Sequence, residues 1–123
     1  LTPEQNLKLN LAKSLALDKL ATLQQCRDLF QSLNRTNGAN VINSTDYRDY
    51  SSHSKCATAP AWTVPNWLRV YMCSSFVNIS ANERAATVIH EALHSAGKLE
   101  SPPYDGQMTS AQIQQLVKDK CQL

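Results

Sequence analysis

The length and charge of the chain narrow the classes of protein to which it can belong. It has 123 residues and a net charge of +2 at pH 7, which suits one domain over residues 1–123 with a single modest core. So small a charge, without a basic run, argues against nucleic acid as a partner. No stretch of about 18 apolar residues occurs, so we expect no membrane partner.

The first predicted element is a long helix that reaches about residue 34, either unbroken or with one break. Thr2, Pro3 and Gln5 have the pattern of a helix start, with a capping hydroxyl, a proline in the first turn and an acceptor three residues past the cap. Apolar residues then recur at helical spacing, namely Leu7, Leu11, Leu15, Leu20, Leu23, Phe30 and Leu33. Asn37 and Gly38 predict a turn after this helix.

The middle of the chain predicts a small amount of β structure. Residues 39–42 are predicted to form a short strand, and the polar residues 43–59 a loop. Residues 61–64 and 68–73 are predicted strands. The two tryptophans of the chain are Trp62, in the first of these strands, and Trp67, just before the second. We interpret both as core or strand-packing residues rather than as platforms for a ligand.

The next element is a predicted helix that carries the motif HExxH. Ser80 and Glu83 have the spacing of a capping box, and Gly97 follows the helical pattern where a glycine favours termination. The residues between are mostly apolar, which predicts a buried helix. His90 and His94 lie one turn apart, so both imidazoles can reach the same cation.

The glutamate inside this motif strengthens the interpretation as a metal site. An unpaired carboxylate on a buried helix costs roughly several kcal/mol unless a cation or another partner compensates it. The alternative is a pair of histidines satisfied within the core and a Glu91 that faces solvent. A metal site explains why His90, Glu91 and His94 occur together on an otherwise apolar helix.

The last predicted element is a C-terminal helix, capped by Thr109 or Ser110. Ile113, Leu116 and Val117 form its apolar face. The predicted elements together indicate an α+β fold with a backing helix, a small sheet, the HExxH helix and the C-terminal helix.

The segment from His90 to Glu100 reads HEALHSAGKLE and resembles the zincin metallopeptidases, in particular the metzincin pattern HExxHxxGxxH/D. Glu100 occupies the position of the third ligand, and a glutamate oxygen is an acceptable zinc ligand. Gluzincins also use a glutamate, but theirs lies on a later helix, where this chain has only Asp119. The resemblance covers residues 68–108 and implies a minimal zincin-like domain.

The resemblance implies a zinc-dependent metallopeptidase that hydrolyses peptide bonds in a peptide or protein substrate. One zinc ion would be held by His90, His94 and Glu100, and Glu91 would be the general base toward zinc-bound water. Asp105 is a second candidate for the third ligand, because it lies in the same loop. The alternative function is a catalytically silent metal-binding or interaction module. We expect a monomer in either case.

Three further features follow from the resemblance. Tyr104 and His53 are candidates to polarise the carbonyl of the scissile bond, although either could be an ordinary surface residue. Met108 is a candidate for the methionine turn of metzincins, with a core methionine as the alternative. In zincins an edge strand binds extended substrate, which implies that role for residues 68–73.

The four cysteines indicate disulfides, because their number is even, their spacing is wide and no CxxC pair occurs. The alternative is four buried free thiols. Of the three possible pairings we favour Cys26–Cys56 with Cys73–Cys121. Disulfides predict a secreted or periplasmic protein, and the start at Leu1 without a methionine leads us to expect a processed chain.

Overall fold

The computed structural model describes residues 1–123 and contains five α-helices and three short strands. The predicted α+β class is therefore confirmed. The helices are α1 (Pro3–Thr22), α2 (Gln24–Asp28), α3 (Gly38–Ser44), α4 (Ala81–Ser95) and α5 (Ser110–Cys121). The strands are β1 (Asp46–Asp49), β2 (Ala61–Trp62) and β3 (Arg69–Met72). None of the helices combines the length and apolar character needed to cross a membrane.

Side-chain caps set the starts of the longest helices, as the sequence predicts. Thr2 and Gln5 form a reciprocal capping box at the start of α1, and Thr109 and Gln112 form another at the start of α5. The predicted first helix does have a break, between Thr22 and Gln24, but it ends at Asp28 rather than near residue 34, because turns follow α2. These local signals are strong because each cap satisfies backbone N–H groups that the helix itself leaves without partners.

The sheet has the strand order β1-β3-β2. Strand β1 runs parallel to β3, and β2 runs antiparallel to it. The prediction that residues 68–73 offer a free edge is wrong, because β3 is the central strand and has partners on both sides. Strand β2 lies at one edge of the sheet and therefore has a free edge.

Two predictions for the middle of the chain are also wrong. Residues 39–42 belong to α3 rather than to a strand, since Asn37 caps this helix by accepting from the Asn40 N–H. The segment 43–59, predicted as a loop, contains β1 and a 3-10 helical turn at Ser54–Ala57. The side chains of β1 are exposed except for the half-buried Tyr47, so the strand has no apolar alternation that sequence reasoning could detect.

The core consists of one cluster of 21 buried apolar residues that draws on all five helices and on β2 and β3. Helix α4 lies at its centre and packs against α1, α3 and α5. Each fully buried Val, Leu or Ile contributes about 1.5–3 kcal/mol to the free energy of folding. The helix with the HExxH motif is therefore held by the most extensively buried part of the molecule, as predicted.

The C-terminal end of α4 is held by two loops. The carbonyls of residues 94–96 accept hydrogen bonds from the Asn66 N–H, the Arg35 guanidinium and the Asn34 N–H, at 2.9, 2.6 and 2.8 Å in that order. These bonds satisfy groups that a helix end otherwise leaves unpaired, and the cation of Arg35 also opposes the negative end of the helix dipole. The position where the chain leaves α4 is thus well defined.

The turn after α4 requires a glycine. Gly97 has a φ of +114°, a region that other residues rarely adopt. A Cβ atom there would also lie 2.7 Å from Asn34 Nδ2 and 3.0 Å from Asn66 Oδ1. The turn redirects the chain so that the residues after Gly97 pass back over the HExxH motif.

All four cysteines form disulfides, but the predicted pairing is wrong. The bonds are Cys26–Cys121 and Cys56–Cys73, and no cysteine is free. Cys26 reaches Cys121 because α2 packs against α5. Cys56 reaches Cys73 because the loop before β2 folds back along the end of β3, where the Cys73 N–H donates to the Pro60 carbonyl.

Candidate metal centre

The HExxH helix and the turn after it bring three candidate ligands together. His90 and His94 are one turn apart on α4, and each is 6 % exposed. The turn at Gly97 directs the chain back toward the two histidines, so that Glu100 Oε1 lies 3.0 Å from His94 Nε2 and 3.6 Å from His90 Nε2. The ligand atoms of the three residues all lie within 4.8 Å of one another. This group could hold a metal ion.

The structure brings Glu100 rather than Asp105 to the two histidines. Asp105 is exposed in the following turn and does not belong to the group. Met108, the candidate for a methionine turn, is half-buried and packs against the apolar core. Its position agrees with the alternative of a core methionine at the start of the last helix.

The far side of each imidazole has a defined partner. His94 Nδ1 lies 2.8 Å from the carbonyl oxygen of Lys98, and His90 Nδ1 lies 2.9 Å from Oε1 of Gln114. Because both partners are oxygens that only accept, each Nδ1 carries a proton and donates it. A neutral ring in this tautomer presents the lone pair of Nε2 toward Glu100.

The donor set therefore fits a divalent cation. Two Nε2 lone pairs and one carboxylate oxygen converge on one place, and the second ring nitrogen of each histidine is already hydrogen-bonded. Two imidazoles and a carboxylate are donors that zinc accepts, and hydrogen bonds from the outer nitrogens are typical of metal-binding histidines. Without a cation, acceptors would face one another at the His94–Glu100 contact unless the ring were protonated.

Glu91 lies beside this group and is almost completely buried, with 6 % of its surface exposed. Its Oε2 atom has no hydrogen-bond partner. Burial raises the pKa of Glu91 to about 7, and the charge of His90 opposes that rise in part. A buried carboxylate oxygen without a partner is costly, which agrees with the raised pKa because it disfavours the charged form.

The three candidate ligands influence one another's protonation. The nearby imidazole of His90 lowers the pKa of Glu100, and burial lowers the pKa of His94. Burial also acts to lower the pKa of His90, but the nearby carboxylates of Glu100 and Glu91 and the hydrogen bond with Gln114 outweigh it, so this pKa is raised. Protons therefore compete with a cation more strongly at His90 than at His94.

The candidate metal centre lies at the floor of an open cleft of about 770 Å³. One wall comes from residues 55–65 and includes Lys55, Trp62 and Val64; the other includes Pro103 and Tyr104. Sites for small ligands commonly have volumes of this order. The HExxH side chains are thus accessible from solvent despite the burial of the helix that carries them.

Of the two candidates for polarising a carbonyl, only Tyr104 lines this cleft. His53 instead packs against Trp62, with ring centroids 4.5 Å apart, and its Nδ1 accepts from the Lys55 N–H at 3.1 Å. This arrangement agrees with a structural part for His53. Tyr104 is 45 % exposed at the mouth of the cleft, so its hydroxyl is free to meet a ligand.

The two tryptophans differ from each other. Trp62 stacks on Tyr71 with a centroid distance of 4.4 Å, as a strand-packing residue should, and it also lines the cleft. Trp67 is 50 % exposed, so the prediction that it packs in the core or on a strand is wrong. It lies in the turn that precedes β3, where no helix or strand covers it.

The sequence-based prediction of the site does not include three residues near the centre, namely Gln114, Glu83 and Lys118. Gln114 on α5 contacts His90, and its Nε2 donates to Glu83 Oε2 at 3.1 Å. The second carboxylate oxygen of Glu83 accepts from Lys118. Glu83 was predicted to bond back to its own helix cap but bonds to α5 instead. No local signal marks Gln114, because a glutamine on an amphipathic helix is usually a surface residue.

Comparisons with known proteins do not assign the chain to a family. No protein-family model matches it, and no curated protein or solved structure matches it significantly. The resemblance to zincins is thus carried by the residues of the motif and its surroundings. A function has to come from the geometry and chemistry of the site.

Proposed function

We propose that this protein is a zinc-dependent metallopeptidase. One observation carries the proposal: His90, His94 and Glu100 place their ligand atoms within 4.8 Å of one another at the floor of an open cleft, beside a buried glutamate with a free carboxylate oxygen. A metal site needs the first three residues. Hydrolysis also gives a use to Glu91, which metal binding alone does not need, and to the cleft.

The chain's own residues divide the chemistry between them. His90, His94 and Glu100 would hold one zinc ion, which supplies a Lewis acid when bound. Glu91 follows His90 on the same helix and lines the cleft, so its carboxylate would accept the proton of an attacking water. The same carboxyl group then returns that proton to the amine that leaves. Tyr104 would donate its hydroxyl hydrogen to the oxygen of the scissile carbonyl.

An extended peptide is the substrate that the cleft suits best. Strand β2 pairs with β3 on one side only, so its other edge keeps unpaired backbone groups. Residues 61–65, which include β2, all line the cleft. A peptide can add to such an edge through main-chain hydrogen bonds, which would carry its carbonyls past the metal centre.

The two disulfides also bear on where the protein works. With all four cysteines paired and none free, the chain is suited to an oxidising compartment. We therefore propose a secreted or periplasmic peptidase that acts as a monomer on peptides or unfolded proteins, with no nucleic acid or membrane partner.

The decisive experiment separates metal binding from hydrolysis. The native chain should bind about one zinc ion and cleave members of a mixed peptide library at neutral pH, and a chelator should abolish the cleavage. Glu91→Gln should keep the zinc and the fold but lose at least about 10²–10⁴-fold in rate, the usual contribution of a general base. Glu4→Gln is the matched control, because Glu4 is exposed on α1 and pairs only with Lys8.

The ligand set can be tested by a pair of acidic residues. Glu100→Ala should weaken zinc binding sharply, whereas Asp105→Ala should leave it unchanged because Asp105 is exposed outside the group. His94→Ala should weaken binding at least as much as Glu100→Ala. If Asp105→Ala has the larger effect, the assignment of the third ligand is wrong.

One outcome would favour the alternative function. A native chain that binds zinc tightly but cleaves nothing in a broad library would be a metal-binding or interaction module that retains the HExxH helix. A chain that binds no metal at all would contradict the peptidase proposal and leave only an interaction module without metal. Equal cleavage by the native protein and Glu91→Gln would show that a contaminating peptidase produces the activity.

A further inference from the structure

The two histidines of the centre are supported in different ways. His94 donates its Nδ1 hydrogen to the backbone carbonyl of Lys98, four residues later in the chain. His90 instead contacts the side chain of Gln114, which is 24 residues away on α5. A carbonyl oxygen has only one role in a hydrogen bond, but a primary amide has two, because its oxygen accepts and its nitrogen donates.

The orientation of the Gln114 amide therefore matters. With its oxygen toward His90, the ring must carry its hydrogen on Nδ1, and the Nε2 lone pair remains free for a cation. With its nitrogen toward His90, Nδ1 would have to accept, and the hydrogen would move to Nε2. The ring could not then bind a metal through Nε2 without changing tautomer.

Glu83 determines which orientation is favourable. Its Oε2 lies 3.1 Å from the amide nitrogen of Gln114. A reversed amide would place its oxygen against this carboxylate, and two acceptors repel each other. Lys118 holds the other carboxylate oxygen of Glu83, which keeps the carboxylate in place between α4 and α5. We call Lys118, Glu83 and Gln114 the amide relay.

We propose that the amide relay selects the Nδ1–H tautomer of His90 and thereby positions it as a metal ligand. Gln114 and Glu83 are then positioning residues that act through His90, and Lys118 fixes the carboxylate on which the selection depends. The inference rests on the metal-binding part of the proposed function and does not depend on peptide hydrolysis.

The first test measures the tautomer directly in the metal-free chain. The two nitrogens of a neutral imidazole give distinct ¹⁵N NMR shifts, which can be read in mildly alkaline buffer. Native His90 should show mainly the Nδ1–H form, because Gln114 Oε1 lies 2.9 Å from Nδ1 whereas Glu100 Oε1 lies 3.6 Å from Nε2. Glu83→Gln should produce a mixture with the Nε2–H form, because an amide whose oxygen stays on Lys118 presents its nitrogen to Gln114. His94 is the internal control and should keep its tautomer throughout.

The second test measures zinc affinity by competition with a chromophoric chelator. Gln114→Leu should weaken binding by about 10–100-fold, the usual effect of removing a partner of a metal-binding histidine. Gln115→Leu is the matched control, since Gln115 is exposed on the same helix and bonds only to Asp119. Equal affinities for the two variants would overturn the proposal.

A double variant separates selection of the tautomer from general structural support. Glu83→Gln/Gln114→Glu keeps the composition but exchanges the two groups. The carboxylate at position 114 would accept from His90 Nδ1, while the amide at position 83 would accept from Lys118 and donate to that carboxylate. We expect the double variant to regain the Nδ1–H tautomer and zinc affinity close to the native value.

The outcomes distinguish this inference from the proposed function. If the double variant binds zinc as weakly as Glu83→Gln alone and its His90 stays in a mixture of tautomers, the relay does not act through the tautomer. If the native chain binds no zinc, the proposed function fails, but the ¹⁵N measurement still decides whether Gln114 and Glu83 set the state of His90.

Discussion

The helical side and the sheet side of the molecule are built differently. On the helical side, made of α1, α2, α4 and α5, residues 85–95 are buried without exception. On the sheet side, residues 46–73, only Ala61 is buried between residues 46 and 69. Each side has one disulfide, but Cys26–Cys121 spans 95 residues within the core, whereas Cys56–Cys73 spans 17 beside the cleft.

The difference assigns separate tasks to the two sides. All the candidate metal ligands lie on α4 or follow it directly, so the geometry of the centre depends on the packed helices. The wall that would contact substrate depends on three short strands and one local disulfide. We therefore expect changes on the sheet side to alter substrate binding while metal affinity stays the same, and changes on the helical side to alter both.

Removing the long-range disulfide should have the largest effect. Cys26→Ala/Cys121→Ala should lower the free energy of unfolding by about 4–5 kcal/mol, because a bond across so many residues strongly restricts the unfolded chain. Zinc affinity should fall as well, since α5 carries Gln114. Urea unfolding and zinc titration measure the two effects, and an unchanged zinc affinity would contradict the dependence of the centre on α5.

Removing the short-range disulfide should have a smaller and more local effect. Cys56→Ala/Cys73→Ala should cost about 3 kcal/mol, since the closed loop is shorter. Zinc affinity should stay at the native value while KM for peptides rises, because the wall at residues 55–65 loses its covalent anchor. Hydrogen exchange should accelerate in that segment and not in α4. Faster exchange in α4 would show that the two sides are not separable.

A substitution at the turn after α4 should lower the free energy of unfolding less than the loss of either disulfide does. It should nevertheless weaken zinc binding. Gly97→Ala should cost about 1–3 kcal/mol, because alanine is strained at a φ of +114°. The shifted loop should carry Glu100 away from the histidines and weaken zinc binding. Gly106→Ala is the matched control: its φ is also positive, at +80°, but nothing lies within 4 Å of the added Cβ. We expect that variant to lose stability without losing zinc affinity.

The smallest expected effect concerns the ion pair at the outer end of the relay. Hydrogen bonds from Lys118 and Gln114 lower the pKa of Glu83. The ionised carboxylate therefore makes its full contribution to the free energy of unfolding above the unfolded pKa of Glu83, and this contribution is lost as the pH falls through the folded pKa. The pair is about one-third exposed, and Lys118→Met should therefore cost less than about 1 kcal/mol near neutral pH. In acid the difference in unfolding free energy between native and variant should shrink. A difference that grows in acid would contradict this assignment.

The parts of the fold that the sequence predicts well are those with local signals. Thr2, Ser80 and Thr109 cap their helices through residues three positions later, and the apolar spacing of α4 and α5 needs no distant partner. Helix α3 escapes prediction because Val41 and Ile42 favour a strand by local propensity, whereas packing against α1 and α4 decides the outcome.

The parts that escape prediction depend on contacts between distant residues. Strand β1 forms because it pairs with β3 more than 20 residues later, although its own side chains are mostly exposed. Four cysteines allow three pairings, and only the packing of α2 on α5 selects Cys121 for Cys26. At the site, HExxH and the spacing to Glu100 are local patterns. The contact of Gln114 with His90 depends on how α4 and α5 cross, which no short pattern encodes.

The span of the Cys26–Cys121 bond also bears on how the chain matures. Cys26 leaves the ribosome 95 residues before its partner, so it has to remain reduced or hold a temporary partner during synthesis. Cys56 and Cys73 are only 17 residues apart, and early pairing between them removes the two competing thiols. An oxidant that acts too soon on Cys26 would trap it with one of them and leave α5 undocked. The timing of oxidation would then decide how much of the synthesised protein becomes able to load metal.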